Sequence, residues 1–100
     1  MSVYQRKLLT IITETILEAA LIKDIEQLGA RGYTITDVRG KGDRGTRSAS
    51  WDSSANIRIE IICDANICDK IVLHLKEHYY KNYAMITYIL NADVLRSDKF

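Results

Sequence analysis

The stretch Asn56-Ile57-Arg58-Ile59-Glu60-Ile61-Ile62-Cys63 decides the fold. Ile57, Ile59 and Ile61 fall on one face and Arg58, Glu60 and Ile62 on the other, which is the two-residue period of a strand lying against a core. On either side of it the chain follows one pattern. Upstream, Lys7 to Thr13 (KLLTIIT) is short, apolar and β-branched and predicts a strand. Ile16, Leu17, Ala20, Leu21, Ile25 and Leu28 then recur at helical spacing as one apolar stripe. Thr15-x-x-Glu18 has the capping-box pattern for the helix start, and Gly29 suits its stop. In Tyr33 to Arg39 (YTITDVR), Tyr33, Ile35 and Asp37 alternate with Thr34, Thr36 and Val38 as a second strand. Downstream, Asp64 or Asn66 can cap a second helix, with Asp69 in its first turn and Ile67, Ile71, Val72, Leu75 and Tyr79 as its buried stripe. Tyr83 to Leu90 (YAMITYIL) reads as the last strand, and residues 91–100 as a polar tail. The order is strand, helix, strand, loop, strand, helix, strand. It predicts an α+β fold of the ferredoxin-like βαββαβ type, a four-stranded antiparallel sheet with both helices on one face.

The chain has 100 residues, 47% hydrophobic and 27% charged, with a net charge of +1 and no proline. That is the size of a single domain spanning residues 1–100, too apolar for a disordered chain. No apolar run approaches the roughly 18–20 residues of a membrane span. Met1 to Lys7 lacks the apolar core of a secretory signal, so the expected compartment is the cytoplasm, with no membrane insertion. The strand faces add a constraint. Met85, Thr87 and Ile89 lie on one face of the last strand and Ile86, Tyr88 and Leu90 on the other; the first strand sets Leu8, Thr10 and Ile12 against Leu9 and Ile11. Two helices cover only one sheet face. Covering the other is worth several kcal/mol per subunit at roughly 25 cal/mol per Å2, which predicts a homo-oligomer in which sheets pack on sheets.

From Gly40 to Ala55 the pattern stops for sixteen residues, a length at which connections are usually functional. Arg39, Lys41, Arg44 and Arg47 fall within residues 39–47, opposed in that span only by Asp43, so the span carries +3 and the remainder of the chain −2. Gly40, Gly42 and Gly45 let backbone amides approach an anion closely, arginine matches phosphate oxygens bidentately, and Thr46 and Ser48 add hydroxyl donors. These residue types suit phosphate or carboxylate, although a solvated hairpin tip has the same composition. Neither a P-loop nor a dinucleotide fingerprint is present. Nucleic-acid binding by a sheet of this type needs exposed aromatics on its central strands; Arg58, Glu60 and Ile62 stand there instead, and the pI is near 7.8.

Other candidates have plainer readings. His74 and His78 are spaced i, i+4, as metal ligands can be, but no third ligand is evident and a polar outer helix face explains them. Cys63 and Cys68 read as packed thiols rather than a redox pair. Trp51 either packs the loop onto the body or anchors a partner. There is no nucleophile–base pair and no acid pair, so the chain is not expected to be an enzyme. An adaptor whose basic loop binds a protein without any small ligand is the alternative to a ligand sensor.

Gly29-Ala30-Arg31-Gly32-Tyr33-Thr34, Gly40-Lys41-Gly42-Asp43-Arg44 and Arg47-Ser48 together resemble the PII-like signalling proteins, in particular the SbtB branch and the carboxysome-associated PII proteins. Ser54 to Glu60 and Tyr83 to Ile89 continue the resemblance, which spans about residues 6 to 95. It implies a single PII-like domain, a homotrimer, and a long T-loop at about residues 40–55 between strands 2 and 3. It implies adenine nucleotides (AMP, ADP, cAMP or ATP) in clefts between subunits, with no catalytic cofactor and no metal. The loop is then expected to control docking onto a partner, a bicarbonate transporter or carboxysome-related protein, which brings the chain to the membrane periphery only through that partner. Bicarbonate is a second implied ligand.

Carried over by position, the cleft comprises Gly32, Tyr33 and Thr34; Gly40, Lys41, Gly42, Arg44, Arg47 and Ser48 at the loop base, with Arg44 and Arg47 on phosphate; and Ile62 against the adenine. Tyr83, Ala84, Met85 and Ile86 match the family's B-loop and following strand, and Arg96 falls where nitrogen-sensing members carry a phosphate-binding arginine. The B-loop lacks the TGxxGxGK run of those members, which argues for AMP, cAMP or ADP over tight triphosphate binding. The loop also lacks their modified tyrosine and the glutamine that helps hold magnesium and 2-oxoglutarate, and the chain lacks the cysteine-containing C-terminal loop of some SbtB proteins.

Overall fold

A computed structural model of the chain describes residues 2–40 and 55–100. The elements are β1 (Tyr4–Glu14), α1 (Glu18–Gln27), β2 (Thr34–Val38), β3 (Asn56–Cys63), α2 (Ala65–His78) and β4 (Met85–Val94), with 3-10 turns at Thr15–Leu17 and Ser97–Lys99. The sheet order is β2-β3-β1-β4 and all neighbours are antiparallel, the ferredoxin-like arrangement expected. β1 pairs Leu9 with Ile61 and Ile11 with Ile59 on one side, and Leu9 with Ile89 and Ile11 with Thr87 on the other. That register gathers Leu9, Ile11, Ile57, Ile59 and Ile61 on the helix-covered face, where each is fully buried beside Leu21 and Ile25 of α1 and Ile71 and Leu75 of α2. Each such side chain contributes about 1.5–3 kcal/mol by leaving water. Among the described residues no helix is long and apolar enough to cross a membrane.

Element ends depart from the sequence reading where backbone pairing outruns side-chain pattern. β1 starts three residues before Lys7 because Tyr4, Gln5 and Arg6 pair with Val94, Asp93 and Ala92. The same pairing carries β4 to Val94, so the polar tail is shorter than residues 91–100, while Tyr83 and Ala84 precede the strand. β2 is confined to Thr34–Val38, its pairing with β3. The capping box does not form: Thr15 opens a 3-10 turn, Leu17 stands at the α1 N-cap without a side-chain bond, and Ile16 is 85% exposed. Ala20 is exposed as well. At the other end Gly29 adopts φ +112°, and the amides of Gly29 and Ala30 donate to Glu26 and Ile25 at 3.1 and 3.0 Å. This is a Schellman stop, which a residue without a Cβ makes at no steric cost. Of the two candidate caps for α2, Asp64 serves, accepting from the Ile67 amide at 2.8 Å, and Asp69 falls beyond the first turn.

The helices are joined on their outer side by a polar clasp. Asp24 of α1 accepts hydrogen bonds from Tyr79 just past α2 and, at 2.9 Å, from Nε2 of His74. His74 is therefore a half-buried bridge rather than part of a solvated face, and the His78 ring packs 4.4 Å from it. Burial alone pushes the Asp24 carboxyl up, but the bonds from Tyr79 and His74 and the nearby His78 outweigh it and hold the group below its ordinary 3.8. Burial and the same bond raise the Tyr79 phenol. A carboxyl depressed by folding adds stability above its unfolded pKa and loses it as pH falls through the folded value. Asp24→Asn should therefore melt below the wild type at pH 7, with the gap narrowing below about pH 4 as the carboxyl protonates. A gap independent of pH would show that the charge does not matter.

Candidate functional site

The sheet face opposite the helices is open. β1 sets Leu8, Thr10 and Ile12 there, paired with Leu90, Tyr88 and Ile86 of β4 on one side and with Ile62, Glu60 and Arg58 of β3 on the other. Ile86, Tyr88 and Leu90 are exposed, Leu90 by 55%. The face is thus an apolar strip along β1 and β4 beside a polar strip along β2 and β3, where Thr34 and Thr36 pair with Glu60 and Arg58. Thr10 Oγ1 and Arg58 Nε are buried on it without a hydrogen-bond partner among the described residues, the Arg58 nitrogen lying 3.9 Å from Glu60.

Four of the residues expected in a cleft come together. Gly32, Tyr33, Thr34 and Ile62 line a concavity of about 410 Å3 with Leu8, Glu60 and Phe100. An apolar floor with polar edges is the chemistry a flat heteroaromatic ring requires. Beside it a second concavity, of about 350 Å3, runs between the Schellman turn and the start of α2, with Arg6, Arg31, Asp64 and Ser97 on its walls. Gly40 and Ile86 line a third, of about 240 Å3, with Ile12, Val38, Arg39 and Arg58. It occupies the far end of the face. Ile62 and Asn56 lie six residues apart along β3, about 20 Å at roughly 3.3 Å per residue. Within one chain the expected residues therefore form two groups rather than one site. Among the described residues a Cβ at Gly32 or Gly40 would meet nothing within 4 Å, so packing against them does not require glycine at either.

The Tyr83–Ile86 segment belongs to the Gly40 end. Thr13 donates to the Ala84 carbonyl at 2.7 Å, a buried bond that pins the segment to β1. Met85 points to the helix side and packs on the core, while the Tyr83 ring sits 6.0 Å from that of Tyr79. Arg96 is exposed, pairs with Asp98 at 3.6 Å and lines none of these three concavities. Lys41, Gly42, Arg44, Arg47 and Ser48, most of the expected loop from 40 to 55, and Trp51 lie outside the described residues. Sequence reasoning missed Glu60, Leu8 and Phe100. The alternation of β3 puts Glu60 beside Ile62, so that one was within reach; Phe100 arrives by a tertiary contact. Cys63 and Cys68 are packed thiols in the core, and burial, with Cys68 and Asp64 nearby, pushes Cys63 up to about 12.

The sequence signature of the nitrogen regulatory protein P-II family matches residues 6–99. A PII-like signaling protein from Thermus thermophilus is 42% identical, with a TM-score of 0.84 over 100% of this chain and 99% of its own. CPII, a protein of Thiomonas intermedia K12 solved with ADP and bicarbonate, is 22% identical, with a TM-score of 0.84 over 99% of this chain and 97% of its own. The GlnK–ATP complex of B. subtilis is 17% identical, with a TM-score of 0.59 over 86% and 82%. The last two likenesses are of fold.

The Thr13–Ala84 bond is the local contact that positions the segment before β4. Thr13→Val keeps the shape and strands the buried carbonyl, which should cost about 1–3 kcal/mol in chemical denaturation. Unchanged stability would mean that Ala84 is satisfied elsewhere.

Proposed function

The chain belongs to the nitrogen regulatory protein P-II family, and from that premise we propose that it binds an adenine nucleotide, AMP or ADP in preference to ATP, in a cleft between neighbouring copies of itself. The separation of the expected residues carries this reading. Gly32, Tyr33, Thr34 and Ile62 gather at one end of the open face, and Gly40 and Ile86 at the other. A ligand seated between neighbouring copies can draw the first group from one copy and the second from its neighbour. The exposed apolar strip of Ile86, Tyr88 and Leu90 supports such an assembly, a homotrimer, since covering it stabilises the pair of sheets. Ligands of related folds support an adenine nucleotide: CPII was solved with ADP and bicarbonate, and GlnK with ATP.

The base lies over Ile62 between Gly32 and Thr34, and the phosphates meet the loop base of a neighbouring copy, where Lys41, Arg44, Arg47 and Ser48 supply donors beside Gly40 and Gly42. Each charge-assisted contact is worth about 1.5–3 kcal/mol. Tyr83 and Ala84 form the wall behind, Met85 contributing its backbone there because its side chain packs on the core, and Arg96 is a further phosphate ligand. The T-loop, residues 40–55, changes shape with the nucleotide, and bicarbonate is a co-ligand. In this reading the chain is a cytoplasmic regulator, not an enzyme, whose loop docks on a protein of inorganic-carbon uptake or fixation, a bicarbonate transporter or carboxysome-related component.

Three measurements test this. Arg47→Ala should weaken ADP binding at least tenfold by calorimetry while leaving the assembly intact; unchanged affinity would remove that arginine from the site. Sedimentation should give about three times the mass of one chain for the wild type, and Leu90→Glu should reduce it to a monomer. A thermal-shift response that is flat for AMP, ADP, cAMP and ATP, each with and without bicarbonate, would favour an adaptor that binds a protein through its loop alone.

A further inference from the structure

Phe100 stands where the two larger concavities meet. It borders the concavity of Gly32, Thr34 and Ile62, and also the neighbouring one of Arg6, Arg31 and Ser97. Its ring, 37% exposed, thereby occupies one side of the slot assigned above to the base. The 3-10 turn Ser97–Lys99 carries it there after β4 has ended. Two guanidinium groups hold this segment by its backbone: Arg6 donates through Nε to the carbonyl of Phe100 at 3.2 Å, and Arg31 donates to the carbonyl of Asp98 at 3.1 Å. Both bonds are exposed to solvent, and Asp98 itself is exposed. Segments held by a few solvent-exposed hydrogen bonds open at far lower free energy than a packed core.

We infer that residues 97–100 form a latch, in which Phe100 competes with the nucleotide base for the slot beside Ile62 and Thr34. This rests on the nucleotide reading of that slot. A phenyl ring and a purine ask the same of it, an apolar face to lie against and exclusion of water. Arg6 and Arg31 set how often the slot is free, because they hold the backbone of the segment. The apparent affinity for the base is then the intrinsic affinity reduced by the fraction of chains with the latch open.

The experiment is ADP titration calorimetry on the full chain and on two variants. Phe100→Ala removes the competing ring, and Arg6→Gln weakens the hold on the Phe100 carbonyl while leaving the ring in place. Both should bind ADP at least threefold more tightly than the wild type, with unchanged mass in sedimentation. Equal affinity in all three proteins would overturn the latch while leaving the nucleotide reading intact. Weaker binding by Phe100→Ala would overturn it too, since the ring would then be stacking on the base. Loss of assembly in Phe100→Ala would equally overturn it, by making the ring a contact between copies. If none of the three binds ADP, the nucleotide reading falls and the latch with it.

Discussion

β1 is hydrogen-bonded along both edges and apolar on both faces, and the rest of the architecture answers to that. Its pairing with β3 and β4 leaves its backbone satisfied, so the remaining demand is for cover. The two helices meet that demand on the face of Leu9 and Ile11, where burial is complete. They cannot meet it on the face of Leu8 and Ile12, and β4 widens the shortfall by adding Ile86, Tyr88 and Leu90. The same strand serves the two-layer fold on one side and, in the proposed assembly, a neighbouring copy on the other. In that proposal the polar strip along β2 and β3 is where the assembly leaves room for a ligand.

Side-chain period made much of this legible in the sequence. The isoleucine alternation of β3 and the spacing of Leu21, Ile25, Ile71 and Leu75 are local patterns with one physical reading each. The ends of elements were less legible because they are settled by pairing between distant segments. Tyr4 to Arg6 are polar and aromatic and become strand because residues 92–94 lie beside them. Thr15-x-x-Glu18 had the residues for a capping box, yet the chain leaves β1 too directly, with the Thr15 amide donating to Ala55 at 2.9 Å and a 3-10 turn intervening.

The candidate site was legible in its members and not in its geometry. Gly32, Tyr33 and Thr34 are consecutive, so their proximity was assured; that Ile62 joins them depends on the pairing of Thr34 with Glu60. The distance between this group and the Gly40 end is a property of strand length that no motif encodes. Phe100 offered no signal, because a lone aromatic in a polar stretch has no period. The His74–Asp24 bridge was hidden for the same reason, its partners standing on separate helices.

The buried thiols have a practical side. Cys63 and Cys68 are at most 2% exposed, and Cys63 stays a thiol far above physiological pH. Since the thiolate is the species that alkylating reagents attack, neither is open to a maleimide in the folded chain. A cysteine introduced at the exposed Arg39 or Ala55 would carry a fluorophore or spin label alone, and the native pair could be left in place, making the chain its own reporter scaffold.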